Sequence, residues 1–134
     1  MSQKLPEDED GWRAVLTPEQ HHVLRKGGTE RPFTGALLHE HRSGTYFCAG
    51  CQTQLFRGED KFESGCGWPS FNDAAHPGGL LSLIDRSHGM VRTEIRCPAC
   101  EGHLGHVFPD GPPPTGLRYC INSVALTFEP DAGD

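Results

Sequence analysis

The chain has 134 residues, a formal net charge of −6 and a hydrophobic fraction of 35%. That length suits about one domain with a real core, and the acidic balance argues against phosphate-driven nucleic-acid binding, which needs a basic surface. No apolar run approaches the roughly 18 residues of a membrane span, and 17 Gly with 11 Pro predict a mainly β fold of strands and turns.

Residues 1–10 read as a flexible acidic tail ending in Glu7-Asp8-Glu9-Asp10. The tail has no apolar segment, so no secretory leader is expected. A single domain is expected over 11–130, followed by a short tail at 131–134. The clearest helix signal is Thr17-Pro18-Glu19-Gln20, with Thr17 as N-cap, Pro18 at the first helical position and Gln20 completing a capping box. The helix should stop at Gly27-Gly28, after about ten residues. Beyond Phe33-Thr34-Gly35 the chain predicts short strands within 46–48, 80–84, 90–96 and 117–128, separated by Gly-rich breaks. Gly111-Pro112-Pro113-Pro114-Thr115-Gly116 is a stiff loop.

Six cysteines without a leader point to a reducing, cytoplasmic compartment, where thiols hold metal or react. Three disulfides in an exported protein would be the opposite reading. Cys48-Ala49-Gly50-Cys51 and Cys97-Pro98-Ala99-Cys100 form two Cys-x-x-Cys knuckles. A two-residue gap brings both sulfurs of one turn to the same ion, and two knuckles complete a tetrahedral four-sulfur site. Such a site suits one structural Zn²⁺ and leaves no position open for substrate. The 45 residues between the pairs (52–96) exceed a compact finger, so the knuckles would clip distant parts of one domain. Two local redox dithiols, a mixed site using His103, or an iron centre are the competing readings.

Cys66 and Cys120 remain. In Leu117-Arg118-Tyr119-Cys120-Ile121-Asn122, strand alternation puts Arg118, Cys120 and Asn122 on one face and the apolar residues on the other. A guanidinium beside a thiol favours the nucleophilic thiolate and should lower its pKa; an inert buried cysteine is the plain alternative. Cys66 lies in Ser64-Gly65-Cys66-Gly67-Trp68-Pro69-Ser70-Phe71, an accessible Gly-flanked thiol beside apolar Trp68 and Phe71. Such a thiol can clear an oxidised partner as a disulfide, or the segment is only a turn with a hydrophobic anchor. His103 and His106, in His103-Leu104-Gly105-His106-Val107-Phe108, are candidate proton donors near neutral pH. On a regular strand they would point to opposite faces, so spacing leaves open whether both face one cleft. His21, His22, His76 and His88 read as surface residues.

Together these stretches, with Leu16-Thr17-Pro18-Glu19-Gln20 and Gly28-Thr29-Glu30-Arg31-Pro32-Phe33-Thr34-Gly35, resemble the B-type peptide-methionine sulfoxide reductases over nearly all of 11–130. The resemblance implies two antiparallel sheets with a few short peripheral helices, a structural zinc on Cys48, Cys51, Cys97 and Cys100, and reduction of the R epimer of methionine sulfoxide. It implies Cys120 as nucleophile, Cys66 as resolving thiol, and His103, His106, Arg118 and Asn122 lining the site. Trp68 would hold the substrate methyl, with Phe71 and Phe108 beside it. Oxidised proteins would be substrates, thioredoxin or a similar dithiol the reductant, and the enzyme a monomer. Ala36-Leu37, Gly58 and the triple proline depart from the family pattern, in positions expected to affect loops more than chemistry. A non-catalytic zinc-ribbon-like module accounts for the metal cysteines but leaves Cys66, Cys120 and both histidines without a role. A zinc hydrolase would need His103 to replace a sulfur and water to complete the shell.

Overall fold

The computed structural model describes residues 6, 8–76 and 78–131. Two short helices come first, α1 (Glu9–Val15) and α2 (Pro18–Leu24). Nine strands follow: β1 (Gly44–Cys48), β2 (Gln54–Arg57), β3 (Lys61–Phe62), β4 (Ser70–Phe71), β5 (Leu81–Asp85), β6 (Arg92–Arg96), β7 (His103–Phe108), β8 (Arg118–Ile121) and β9 (Leu126–Pro130). They form two sheets, ordered β2-β1-β9 and β3-β4-β8-β7-β6-β5, and every pairing is antiparallel. The mainly β architecture is the expected one. Among the described residues, no helix is long and apolar enough to cross a membrane.

The acidic start is partly helical. Asp8 caps α1 by accepting the Gly11 N–H at 2.8 Å, and Glu9 and Asp10 occupy the first turn, where carboxylates complement the helix dipole. The rest of the two expected tails, residues 1–5, 7 and 132–134, lies outside the described residues. In α2 the capping box forms as its sequence implies: Gln20 N–H donates to Thr17 Oγ1 at 3.2 Å, and Thr17 N–H to Gln20 Oε1 at 2.9 Å. This helix ends at Leu24, short of the glycines. Gly28 N–H reaches back to the His22 carbonyl at 2.9 Å, so residues 25–28 close as a turn. His21 is buried at 8% exposure, a correction to its reading as a surface residue; it lies on the same inward side of α2 as Leu24.

The core lies between the sheets and is dominated by aromatic rings. Phe56 stacks on Phe71 at 4.3 Å and Tyr46 meets Phe71 edge-on at 5.0 Å, each pair contributing about 0.5–1.5 kcal/mol beyond burial. Phe71 is 0% exposed. Its expected place at the substrate is therefore corrected: β4 turns this ring inward, to join the sheets. The strand-like stretch over 117–128 is divided between β8 in the larger sheet and β9 in the smaller, with a 3-10 turn at Ser123–Ala125 between them. Ser123 Oγ accepts the Leu37 N–H at 2.8 Å, which pins this crossing next to Cys120.

Candidate active site

Cys48 ends β1, and Cys97 and Cys100 lie between β6 and β7, so the knuckles join one sheet to the other. The two turns repeat each other. Gln52 N–H donates to the Cys48 carbonyl at 2.8 Å and Glu101 N–H to the Cys97 carbonyl at 2.9 Å, and both residues take the left-handed conformation, with φ of 65° and 61°. Sulfur separations are 3.7 Å for Cys48–Cys100 and 3.5 Å for Cys51–Cys97. A tetrahedron with metal–sulfur bonds of 2.3 Å has edges of about 3.8 Å, so the four sulfurs are positioned to hold one metal ion. His103 is not among them, which sets aside the mixed site.

The second thiol pair lies on the larger sheet. Cys120, on β8, is paired with Ser70 of β4 on one side and His106 of β7 on the other. The β7 backbone approaches so closely that a Cβ on Gly105 would stand 2.0 Å from the Cys120 carbonyl oxygen. Gly65 (φ 78°) and Gly67 (φ 96°) bend the loop that carries Cys66, and Cys66 Sγ comes to 2.8 Å from Cys120 Sγ. Arg118 Nη1 donates to Cys120 Sγ at 2.9 Å. Its other nitrogens are fixed by Asp110, with Nε to Oδ1 at 2.8 Å and Nη2 to Oδ2 at 3.2 Å. The guanidinium also lies 4.5 Å over the Phe108 ring.

The contact between the two thiols shifts their ionisation in opposite directions, which reverses one expectation. The hydrogen bond from Cys120 draws Cys66 down to about 4 despite burial. The same contact, then burial, pushes Cys120 up, with Arg118 opposing. The guanidinium is present as its sequence spacing implies, yet while Cys66 is in contact its effect on Cys120 is outweighed. The first ionisation belongs to the pair.

A cleft of about 300 Å³ opens onto both thiols. Trp68, Phe108, His106 and Arg118 line it, together with Thr29 and Arg92. A cleft of about 410 Å³ beside α2 and β9 holds no thiol or histidine. His103 and His106 share one side of β7, with ring centroids 5.5 Å apart, because a register shift between Ile95 and Arg96 breaks the strand alternation. Only His106 lines the cleft. Each ring is held by a carboxylate that an arginine holds in turn. His106 Nε2 meets Asp85 Oδ2 at 2.7 Å with Arg92 Nη2 on that oxygen at 3.3 Å; His103 Nδ1 meets Glu94 Oε2 at 2.6 Å with Arg96 Nε on it at 3.0 Å. Burial pushes the His103 pKa down against the pull of Glu94.

Asn122, expected at the cleft, is not among the residues that line it. It is 3% exposed; its Nδ2 donates to the Leu104 carbonyl and its Oδ1 accepts the Glu30 N–H, both at 2.9 Å. The Glu30 carbonyl in turn accepts Trp68 Nε1–H at 3.1 Å. Asn122 thus supports the indole through the backbone of Glu30.

Comparison with known proteins matches the SelR domain to residues 16–130. The chain is 57% identical over 129 residues to the "Peptide methionine sulfoxide reductase MsrB" of Agrobacterium fabrum, covering 96% of both chains. It is 56% identical over 131 residues to the protein of that name from Pseudomonas putida, covering 98% of both. A third such protein, from Bradyrhizobium diazoefficiens, is 58% identical over 127 residues, covering 95% of this chain and 91% of the relative. With a domain match from α2 through β9 and relatives more than half identical along nearly their whole length, the chain belongs to the SelR domain family.

Proposed function

We propose that this protein is a peptide methionine sulfoxide reductase acting on the R epimer of protein-bound methionine sulfoxide. The observation that carries the reading is the 2.8 Å approach of Cys66 Sγ to Cys120 Sγ, with Arg118 on Cys120, at the floor of a cleft walled by Trp68 and Phe108. Cys120 attacks the sulfoxide sulfur while His106 delivers a proton to its oxygen. The protonated oxygen then passes from the substrate sulfur to the Cys120 sulfur as the bond between the two sulfurs breaks, so the sulfide leaves two electrons richer and Cys120 becomes the sulfenic acid. Cys66 then displaces that oxygen as water, forming the Cys66–Cys120 disulfide, and a dithiol such as thioredoxin restores both thiols.

His106 is favoured as the acid because it lines the cleft beside Cys120, whereas burial biases His103 toward its neutral form. General-acid help of this kind is worth about 10²–10⁴ in rate. Trp68 receives the methyl group, oriented through Glu30 and Asn122. Cys48, Cys51, Cys97 and Cys100 would hold Zn²⁺, whose chemistry is that of a closed structural site tying the sheets together. The proposal extends to a monomeric cytoplasmic enzyme whose single domain spans 11–130; six free cysteines suit a reducing compartment. The zinc-ribbon alternative gives the second thiol pair no task.

The test is turnover of R and S sulfoxide peptides with thioredoxin as reductant. Turnover of R alone, abolished by Cys120→Ser with the fold intact, supports the reading. Equal use of both epimers, or activity that survives Cys120→Ser, overturns it.

A further inference from the structure

A second group of metal-ligating side chains lies away from the four sulfurs and the cleft. His39 and His41 flank Glu40 in the segment before β1, and Glu63 follows β3. Both rings converge on one carboxylate oxygen: His39 Nδ1 stands 3.9 Å and His41 Nε2 3.5 Å from Glu63 Oε1. We propose that His39, His41 and Glu63 form a second metal site, open to solvent, that takes a divalent transition ion of the Zn²⁺ or Ni²⁺ class.

Three features support it. Two imidazoles and one carboxylate are the donor set that borderline ions prefer, with a net charge that favours a dication. The separations are close to the edge of about 3.4 Å that bonds of 2.0–2.2 Å give a tetrahedron, and the ligand atoms all lie within 4.8 Å of one another, so closure needs only small side-chain motion. A side chain already ties the two segments together, because Lys61 Nζ donates to the Leu38 carbonyl at 2.6 Å. That bond fixes the residue before His39 against the strand that leads to Glu63. Glu40 does not compete, since its two oxygens hold Arg42 at 3.0 and 2.8 Å. Lys61 is the local opposing charge. Three protein ligands leave at least one position for water.

The site lies at the root of the loop that carries Cys66. Ser64, next to Glu63, accepts the Cys66 N–H at 3.3 Å and meets Ser70 Oγ at 2.7 Å. An ion on Glu63 would therefore anchor this loop to the segment before β1. Metal binding stands independently of the reductase reading; only the consequence for Cys66 rests on it.

The test uses untagged, zinc-loaded full-length protein carrying Cys66→Ser and Cys120→Ser, which removes the competing sulfurs. Calorimetric titration with Ni²⁺ should show one further ion per chain, weakened at least about tenfold by His39→Ala with His41→Ala and also weakened by Glu63→Gln. Amide exchange at residues 64–66 should slow on adding Ni²⁺ in the parent and not in the double-alanine protein. Binding that is absent, or unchanged by the histidine substitutions, overturns the site. Saturable binding with unchanged exchange overturns the coupling to the Cys66 loop.

Discussion

Asp85 and His106 are joined across the width of β6 by a 2.7 Å hydrogen bond to His106 Nε2. The Asp85 carboxyl is held far below its ordinary range, first by the Ser87 hydroxyl, then by the Ser87 N–H and by His106. It is an anion throughout the working pH range and engages Nε2, which leaves Nδ1 as the other ring nitrogen. Asp85→Asn should lower kcat by about tenfold, a fraction of what general-acid catalysis supplies, with little change in KM. Steady-state kinetics on an R sulfoxide peptide measures it, and Asp85→Glu should recover part of the loss. A fall confined to KM would mean that Asp85 serves binding instead.

The Cys66–Cys120 contact yields a prediction whose sign is opposite to a simple loss of function. Cys120 is raised chiefly by Cys66, so Cys66→Ser removes the raising partner while Arg118 stays at 2.9 Å. The pH midpoint for alkylation of Cys120 should therefore fall. The same variant should complete one stoichiometric round and then stop with thioredoxin. Rapid iodoacetamide labelling against pH reads the first effect. A midpoint that rose would show that Arg118 does not govern the isolated thiol.

Glu30 carries a stability prediction. Burial raises its carboxyl pKa against the hydrogen bonds from the Val124 and Ser123 backbones, and its Oε2 finds no hydrogen-bond partner among the described residues. A raised acid favours the folded state below its unfolded pKa of about 4.3, and that advantage is lost as pH rises through the folded value. At pH 8 the buried anion is therefore a cost. Glu30→Gln keeps an acceptor for Val124 N–H and should raise Tm by about 3 °C at pH 8, or roughly 1 kcal/mol, with the gain vanishing near pH 4. Thermal melts at the two pH values check it; a gain independent of pH would point to packing rather than charge.

Chemistry that depends on residue type and short spacing was legible in the sequence. Both knuckles, the capping box of α2 and the pair Arg118–Cys120 stand where local rules put them. What the sequence hid was set by long-range register. The extra residue in β7, Leu104, brings His103 and His106 to one side, and a period of two cannot reveal an inserted residue. Phe71 reads as a site aromatic because it follows Trp68 closely, yet β4 pairing turns it into the core. Asn122 shares a face with Cys120 only if the strand continues, and the strand ends at Ile121. Asp85 and Glu94 became recognisable as histidine partners only once β5, β6 and β7 were side by side.

Metal removal should separate the two thiol sets. Cys97 is fully buried, and its sulfur, at 3.5 Å from Cys51, belongs to a cluster drawn from both sheets. Losing one ligand forfeits much of a binding free energy of about 10–16 kcal/mol for structural Zn²⁺, more than the stability typical of a small domain. Cys97→Ser protein should therefore carry less than one metal ion per chain and melt at least about 10 °C lower. Elemental analysis and calorimetry measure both. Because the cleft thiols sit on β8 and the β3–β4 loop, away from the knuckles, any folded fraction at low temperature should still form the Cys66–Cys120 disulfide. A variant that kept full metal and its original Tm would refute a structural role for the four-sulfur site.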